Sequence, residues 1–242
     1  MSNSLAIARR ELAAYFNSPI AYVFLGAFLV TSAVLLFFLF GGIFVDGTAT
    51  MRRYFMFAPF VFMLLGPAVT MRLIAEERKT RTIESLLTLP VRDSEVVIGK
   101  FLGALAMVAA GLLFTLCFPL SISTLVADGF SFDWGPVIAG YLGLLLLASS
   151  FLAVGMWTSA LTQDQVVGFV LGCLACTSVV FVDWLAFLVP ESLAELFTYL
   201  SADVHFDSIA RGVIDSRDVV YFLSLTAVGL GLCIRTLGRV RQ

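Results

Sequence analysis

Charged residues are scarce in this sequence. Aspartate, glutamate, lysine and arginine make up 13% of its 242 residues, whereas 60% are hydrophobic. A soluble domain carries about 25% charged residues, so most of this chain requires an apolar solvent. A basic surface is lacking too, because the formal net charge is −2. Nucleic acid is therefore not expected as a partner.

Histidine and cysteine are also rare. The one histidine is His205, and all four cysteines lie within apolar runs, where they act as small apolar side chains. The segment 76–81 fits the Glu-Glu-x-x-x-Arg pattern of membrane-embedded processing proteases, but such enzymes need further histidines. Gly99-Lys100 does not end a phosphate loop, because Ser94 and Phe101 replace the required Gly and Ser or Thr. We expect no catalytic site, metal or nucleotide on this chain.

Long apolar runs account for most of the sequence. A membrane-spanning helix needs about 20 predominantly apolar residues. Six runs are long enough, at residues 20–44, 55–74, 101–125, 136–157, 166–188 and 219–237. The first is longer than the apolar region of a cleavable signal peptide, which has roughly 7 to 15 residues, so we expect it to remain as a helix. The sequence predicts an all-α membrane protein with six transmembrane helices.

Two local signals concern the third run. Pro119 predicts a kink or an early end of that helix, because proline has no backbone N–H to continue the hydrogen-bond ladder. Asp93 precedes the same run and is predicted to be the N-cap.

The distribution of lysine and arginine predicts the orientation in the membrane. Eleven of the fifteen basic residues lie on the side of the six-span arrangement that carries both termini. The other four are Arg52, Arg53, Arg211 and Arg217. Positively charged loops tend to stay in the cytoplasm, so both termini are predicted to be cytoplasmic, in a bacterial inner membrane.

The N-terminal segment 1–19 precedes the transmembrane domain, which we assign to residues 20–242. An apolar helical stripe within it predicts an amphipathic helix on the inner membrane surface, the alternative being a solvated tail. The stripe consists of Leu5, Ala8, Leu12, Tyr15 and Phe16, with Arg9, Arg10 and Glu11 on other faces.

The predicted cytoplasmic loop between the second and third spans contains a short amphipathic helix. Thr82 is its candidate N-cap, and Pro90 ends it. Its apolar face, formed by Ile83, Leu86 and Leu87, is too small to anchor a fold. A face of this size suits a groove on a partner protein.

The predicted outer loop 189–218 contains a second short helical pattern. Leu193, Leu196, Phe197 and Leu200 form an apolar stripe, typical of a helix that re-enters the membrane or lies on it. Asp207, Arg211 and Asp215 are spaced i, i+4, so ion pairs are expected along a helix there. The candidate outer site or gate consists of Leu193, Phe197, His205, Arg211 and Asp215.

These loops resemble those of ABC-2 permeases. Residues 75–91, with Glu95 and Gly99-Lys100, are similar to that family's signature between the second and third spans. Residues 159–167 and 205–222 are similar to motifs of its gliding-motility-type branch. Arg81 departs from the pattern, because glycine is common at this position in the family.

The resemblance implies the permease subunit of an ATP-driven transporter, with a fold like that of type V exporters. It implies a separate cytoplasmic ABC ATPase that binds ATP and Mg²⁺, a second permease copy, and an auxiliary subunit with an extracytoplasmic domain. The short helix between Thr82 and Pro90 would be the coupling helix. The residues implied in coupling are Glu76, Glu77, Ile83, Glu84, Leu86 and Leu87, with a second contact at Thr162, Gln163 and Asp164.

A secondary transporter or channel driven by an ion gradient is the alternative function. Such proteins place ionisable groups within their spans. Asp183, near the predicted outer end of the fifth span, is the clear candidate.

Overall fold

The computed structural model describes residues 3–37, 50–80, 92–125, 132–187 and 190–240, and within these ranges it contains helices and no strands. The prediction of an all-α protein is confirmed. The helices are α1 (Asn3–Phe16), α2 (Pro19–Phe37), α3 (Arg52–Lys79), α4 (Asp93–Thr115), α5 (Cys117–Leu125), α6 (Trp134–Leu161), α7 (Gln165–Val180), α8 (Glu191–Leu200), α9 (Ala202–Ala210) and α10 (Ser216–Val240), with a 3-10 helix at Val182–Phe187.

Several of these helices have the length and composition of membrane spans. Four candidates lie at Arg52–Lys79, Asp93–Thr124, Trp134–Leu161 and Ser216–Arg239 in the described part of the chain. Asn3–Phe16 and Ala21–Phe37 together give a fifth, with a bend of 76° between them. Gln165–Val180 is apolar but shorter. A multi-pass membrane protein is thus supported, whereas the count of six spans stays a prediction.

Most helices extend beyond the apolar runs that predicted them. α3 begins at Arg52 and continues to Lys79, whereas hydropathy placed the span at 55–74. α4 begins at Asp93 rather than at residue 101. Glutamate, lysine and arginine are good helix formers, so the helical hydrogen bonds continue through charged ends that hydropathy excludes. Residues 38–44 of the first predicted span lie outside the described residues.

The predicted N-cap of α4 is wrong by one residue. Arg92 is the N-cap and Asp93 is the first helical residue. The carboxylate of Glu95 accepts a hydrogen bond of 2.9 Å from the Arg92 backbone N–H. Glu95 thereby satisfies a helix-end donor, and the acid at position 93 still suits the positive end of the helix dipole.

The predicted irregularity near Pro119 is present. α4 ends at Thr115, and α5 continues from Cys117 after a single turn residue. Pro119 has no N–H with which to bond the carbonyl of Thr115, four residues earlier. The Tyr141 hydroxyl of α6 donates to that carbonyl at 2.9 Å. A side chain from another helix therefore satisfies the acceptor that proline leaves.

Helix α6 is the centre of the bundle. It packs against α3, α7, α9 and α10, and the side chains of Leu144, Leu147 and Phe151 are completely buried. Small residues bring the neighbouring helices close: a Cβ added at Gly155 of α6 would lie 3.1 Å from the Cα of Pro67 in α3. Close approach through small residues is typical of helix packing in membranes.

Two glycines of α10 allow a matched test of this packing. A Cβ at Gly229 would lie 2.9 Å from the backbone carbonyl carbon of Ala153, whereas a Cβ at Gly231 would meet nothing within 4 Å. We expect Gly229→Ala to destabilise the fold by about 1–3 kcal/mol through overpacking. Gly231→Ala should be neutral or slightly stabilising, because alanine favours the helix. Thermal unfolding in detergent measures both, and equal Tm values would refute close α6–α10 packing.

Candidate coupling and outer-loop sites

A buried lysine joins three helices at one end of the bundle, the end where α3 stops and α4 begins. Lys100 of α4 is 2% exposed. Its Nζ donates to the carboxylate of Glu77 on α3 at 2.7 Å and to that of Glu11 on α1 at 3.1 Å. A charge so deeply buried requires partners of opposite charge. We call Lys100, Glu11 and Glu77 the Lys100 cluster.

Two glycines on α4 have no side chain and so let α1 come close enough for the contact between Glu11 and Lys100. A Cβ at Gly99 would lie 2.7 Å from Ile7 Cβ, and a Cβ at Gly103 would lie 2.8 Å from Glu11 Cβ. The spacing Gly99-x-x-x-Gly103 is a small-residue motif of helix packing. The motif was present in the sequence and indicates a close helix approach beside Lys100, but it does not identify α1 as the helix that approaches.

The predicted apolar stripe of α1 is therefore only partly correct. Ala8 is buried as expected, but Leu5 is 49% exposed. Ile7 and Glu11 face α4 instead, since the glycine surface accepts them and Lys100 attracts the carboxylate. The helix itself is present over Asn3–Phe16, while its position on a membrane surface stays a prediction.

The same end of the bundle links α3 to α6. The hydroxyl of Ser159 donates to the Met71 carbonyl at 2.9 Å and accepts from the Ala75 N–H at 3.1 Å. Arg78 donates from its guanidinium to the Ala160 carbonyl. Glu76 pairs with the Nε of Arg72 at 2.9 Å. The last turns of α3 are thus held by α4 on one side and by α6 on the other.

The predicted second contact lies directly after this junction. The Asp164 carboxylate caps α7 by accepting from the Val166 N–H at 2.8 Å, and the Thr162 hydroxyl accepts from the Asp164 N–H at 3.1 Å. These two side chains fix the loop conformation. Gln163, between them, is exposed.

The structure brings only part of the predicted coupling set together. Glu76 and Glu77 on α3, and Thr162 to Asp164 after α6, occupy the same end of two helices that are hydrogen-bonded to each other. The other predicted members lie outside the described residues. They are Ile83, Glu84, Leu86 and Leu87.

His205 forms a buried cluster at the opposite end of the bundle. It is 6% exposed and bonds the Asp218 carboxylate through Nδ1 at 2.6 Å. Its Nε2 lies 2.8 Å from the Tyr199 carbonyl, to which it donates, because a carbonyl can only accept. Its ring stacks on Tyr221 with centroids 4.2 Å apart. The sequence indicated His205 as a residue of the predicted outer loop but gave no sign of its partner Asp218.

This His205 cluster joins α8 and α9 to α10. His205 belongs to α9, Tyr199 to α8, and Asp218 and Tyr221 to α10. Tyr221 also donates from its hydroxyl to the Leu200 carbonyl at 2.6 Å. Among the described residues, the second carboxylate oxygen of Asp218 has no hydrogen-bond partner.

The expected ion-pair chain is only half present. Arg211 pairs with Asp207 across one helical turn. Asp215 does not continue the chain, because α9 ends at Ala210 and the positive φ of 90° at Gly212 turns the backbone away. Asp215 instead accepts from the Arg217 backbone N–H at 3.0 Å, which lowers the pKa of its carboxyl.

The other residues of the predicted outer site lie on α8. The apolar stripe does form a helix, Glu191–Leu200, which contains Leu193 and Phe197. Phe197 is half-buried, whereas Leu196 and Leu200 are exposed by 54% and 46%. Whether this helix enters the membrane or lies on it stays a prediction.

The helix of the fifth predicted span, 166–188, is shorter than expected and ends before the candidate ion-pathway residue Asp183. α7 ends at Val180, so Asp183 falls in the 3-10 helix that follows. The Ser201 hydroxyl donates to the Asp183 carboxylate at 3.2 Å. Nearby, burial raises the pKa of the Asp203 carboxyl, and the charges of Asp183 and Asp207 raise it further. Asp183 thus lies in the 3-10 helix, whereas Asp203 and Asp207 lie in α9.

Comparison with known proteins defines the family. No curated protein matches this chain. Residues 27–206, which are 180 of the 242, match the model of the ABC-2 family transporter proteins. This region contains α3 to α8 entirely, and with them both ends of α3 and the α6–α7 loop. The chain belongs to the ABC-2 transporter family, and is a transmembrane component of an ABC transporter without catalytic activity of its own.

Proposed function

We propose that this chain is the permease of a gliding-motility-type ABC-2 transporter, driven by a separate cytoplasmic ATPase. Two copies would form the substrate pathway, and an auxiliary subunit would bind on the outer side. Six spans would place both termini in the cytoplasm of a bacterial cell with the chain in its inner membrane. ATP and Mg²⁺ would be bound by the ATPase.

The observation that carries this proposal is the triple attachment of the last turns of α3. Lys100 ties them to α4 and α1, and Ser159 and Arg78 tie them to α6. The proposed coupling helix follows directly in the sequence. A displacement of that helix by the ATPase would therefore act on four helices at once, because packed helices move as rigid bodies.

The α6–α7 loop supports a second contact with the ATPase. Asp164 and Thr162 hold this loop in one conformation, which leaves Gln163 exposed beside the end of α3. A preorganised loop loses little conformational entropy on binding. We assign Thr162, Gln163 and Asp164 to this contact on that basis.

The outer helices are proposed to follow the movement of α10. Asp218 and Tyr221 of α10 hold α9 and α8 through His205 and the Leu200 carbonyl. α10 itself packs along α6. A shift of α6 would in this way reach the proposed gate residues Leu193, Phe197, His205, Arg211 and Asp215.

An ion-driven transporter is less well supported. Asp183 lies after the end of α7 and is hydrogen-bonded to Ser201. An ion pathway through the membrane requires ionisable groups at depth. Lys100 of α4 is a deeply buried ionisable residue, but it is paired with two carboxylates. It therefore does not offer an unpaired charge for an ion pathway.

The orientation predicts opposite labelling of two exposed loop positions. In a variant without the native cysteines, Gln163→Cys should react with a membrane-impermeant maleimide only from the cytoplasmic side. Val213→Cys, at a position that is 61% exposed, should react only from the outer side. Labelling of both from one side would contradict the arrangement of α7 to α10 in the membrane.

The proposal as a whole is tested by purification of the intact chain from its native membrane. We expect an ABC ATPase to copurify in a stoichiometric ratio and its ATP turnover to depend on the permease. Recovery of the folded chain without any ATPase, together with transport driven by a proton or sodium gradient, would favour the alternative.

A further inference from the structure

A cavity lies on the inside of the bend between α1 and α2. Its volume is about 370 Å³, which is in the range of small-molecule sites. Six residues between Glu11 and Phe24, on both sides of the bend, form one wall, and residues of α3 and α4 form the other. The two helix segments at this bend differ in direction by 76°.

The wall of this cavity changes from apolar to charged along its length. On α3 it proceeds from Ala68 to Arg72 and Glu76, and on α4 from Met107 to Lys100. The contact between Lys100 and Glu77 places the charged residues of both helices at the same level. Phe24 of α2 lines the cavity as well. The cavity is therefore amphipathic.

Its charged end carries both signs. The Arg72 Nε bonds Glu76, and among the described residues the terminal nitrogens of Arg72 make no hydrogen bond. Their N–H groups fit phosphate oxygens, which guanidinium binds well. The carboxylates of Glu11 and Glu76 line the same end and repel a purely anionic headgroup. They would accept hydrogen bonds from a primary ammonium.

We propose that this cavity binds the headgroup and the first part of one acyl chain of a phosphoethanolamine lipid from the membrane leaflet at this end. The phosphate would contact Arg72, and the ammonium would contact Glu76 and Glu11. The acyl chain would pass between Phe24, Ala68 and Met107. Such a lipid would fill the angle between α1 and α2 and stabilise the bend.

The test is native mass spectrometry of the full-length chain in detergent, titrated separately with four amphiphiles. Three are palmitoyl-oleoyl phosphatidylethanolamine, phosphatidylcholine and phosphatidylglycerol, and the fourth is dodecylamine. We expect one phosphatidylethanolamine per chain, bound about tenfold or more tightly than the other two lipids. Phosphatidylcholine has the same phosphate, but its quaternary ammonium has no N–H to donate.

Variants of the cavity wall distinguish binding of the lipid headgroup from binding of its acyl chain. Arg72→Gln should weaken phosphatidylethanolamine binding about tenfold but should not weaken dodecylamine binding, because only the lipid has a phosphate. Ala68→Phe should prevent binding of both ligands by filling the apolar end, and Ala68→Leu is a milder version if the phenylalanine variant has a lowered Tm. Leu113→Phe, on a surface of α4 that is 66% exposed, is the control and should bind normally.

Two results would overturn the proposal. Equal binding of all three phospholipids, unaffected by Ala68→Phe, would mean that lipid only surrounds the helices. Binding of dodecylamine without a preference for phosphatidylethanolamine would identify an amine site rather than a lipid site. The measurement uses no ATPase, so its outcome is independent of the proposed coupling.

Discussion

Lys100→Met is expected to destabilise the protein by about 3 kcal/mol and to release α1 from the bundle. The substitution keeps the length of the side chain but leaves Glu11 and Glu77 beside each other without the ammonium. Removal of one partner from a buried ion pair costs about 3–5 kcal/mol. The lower end applies, because the two carboxylate side chains remain 14% and 22% exposed.

Two measurements check this prediction. Thermal unfolding in detergent should show a lower Tm, and hydrogen exchange should increase over residues 3–16. Lys79→Met, an exposed substitution of the same kind on α3, should change the Tm little. Replacement of all three members by neutral residues, Lys100→Met with Glu11→Gln and Glu77→Gln, should restore most of the loss. An unchanged Tm for Lys100→Met alone would show that the Lys100 cluster does not hold α1.

The helical layout was largely predictable because it depends on local composition. The apolar runs located α2, α3, α4, α6, α7 and α10 to within several residues. The stripe from Leu193 to Leu200 located α8, and Pro119 indicated the break between α4 and α5. Each of these signals acts within one or two helical turns, so it is visible in a single stretch of sequence.

The polar clusters were not predictable in the same way. Lys100 meets Glu11 across 89 residues, and this contact depends on how closely Gly99 and Gly103 let α1 approach. Hydropathy indicates only that a lysine precedes an apolar run. The same applies to His205, whose partner Asp218 begins another helix. Contacts between elements require the arrangement of the helices, which local patterns do not specify.

The ion pair of α9 shows that one backbone angle can prevent a contact that residue spacing predicts. The spacing of Asp207, Arg211 and Asp215 is that of a continuous helix. Gly212, at φ 90°, ends this helix in a left-handed conformation that glycine adopts readily. Only the first pair forms, and Asp215 bonds to the start of α10 instead. The glycine was the available signal, since it is a common helix terminator.

Leu86→Asp is expected to abolish coupling to the ATPase. Leu86 lies outside the described residues, so this prediction rests on the amphipathic pattern between Thr82 and Pro90 and on the family. Burial of a leucine contributes about 1.5–3 kcal/mol, and a buried aspartate adds a desolvation cost. The affinity for the ATPase should therefore fall by about tenfold to a hundredfold or more. Insertion and expression should be unchanged, because the segment lies outside the predicted spans.

Ser85→Asp is the matched control for this substitution. Ser85→Asp adds the same negative charge one residue before Leu86, on the polar side of the predicted helix. There the carboxylate would remain in water. It should leave association with the ATPase near the level of the unmodified chain. A comparable loss in both variants would indicate a general effect of negative charge in the loop rather than a leucine seated in a groove.

Permease-dependent ATP turnover of the copurified complex is the most direct measurement of the central claim, that this chain is driven by a separate ATPase through the loop after α3. It should be made for the unmodified chain, Leu86→Asp and Ser85→Asp at matched expression. We predict a stoichiometric complex with stimulated turnover for the unmodified chain and Ser85→Asp, and loss of both for Leu86→Asp. Full association and turnover in Leu86→Asp would contradict the proposed coupling helix.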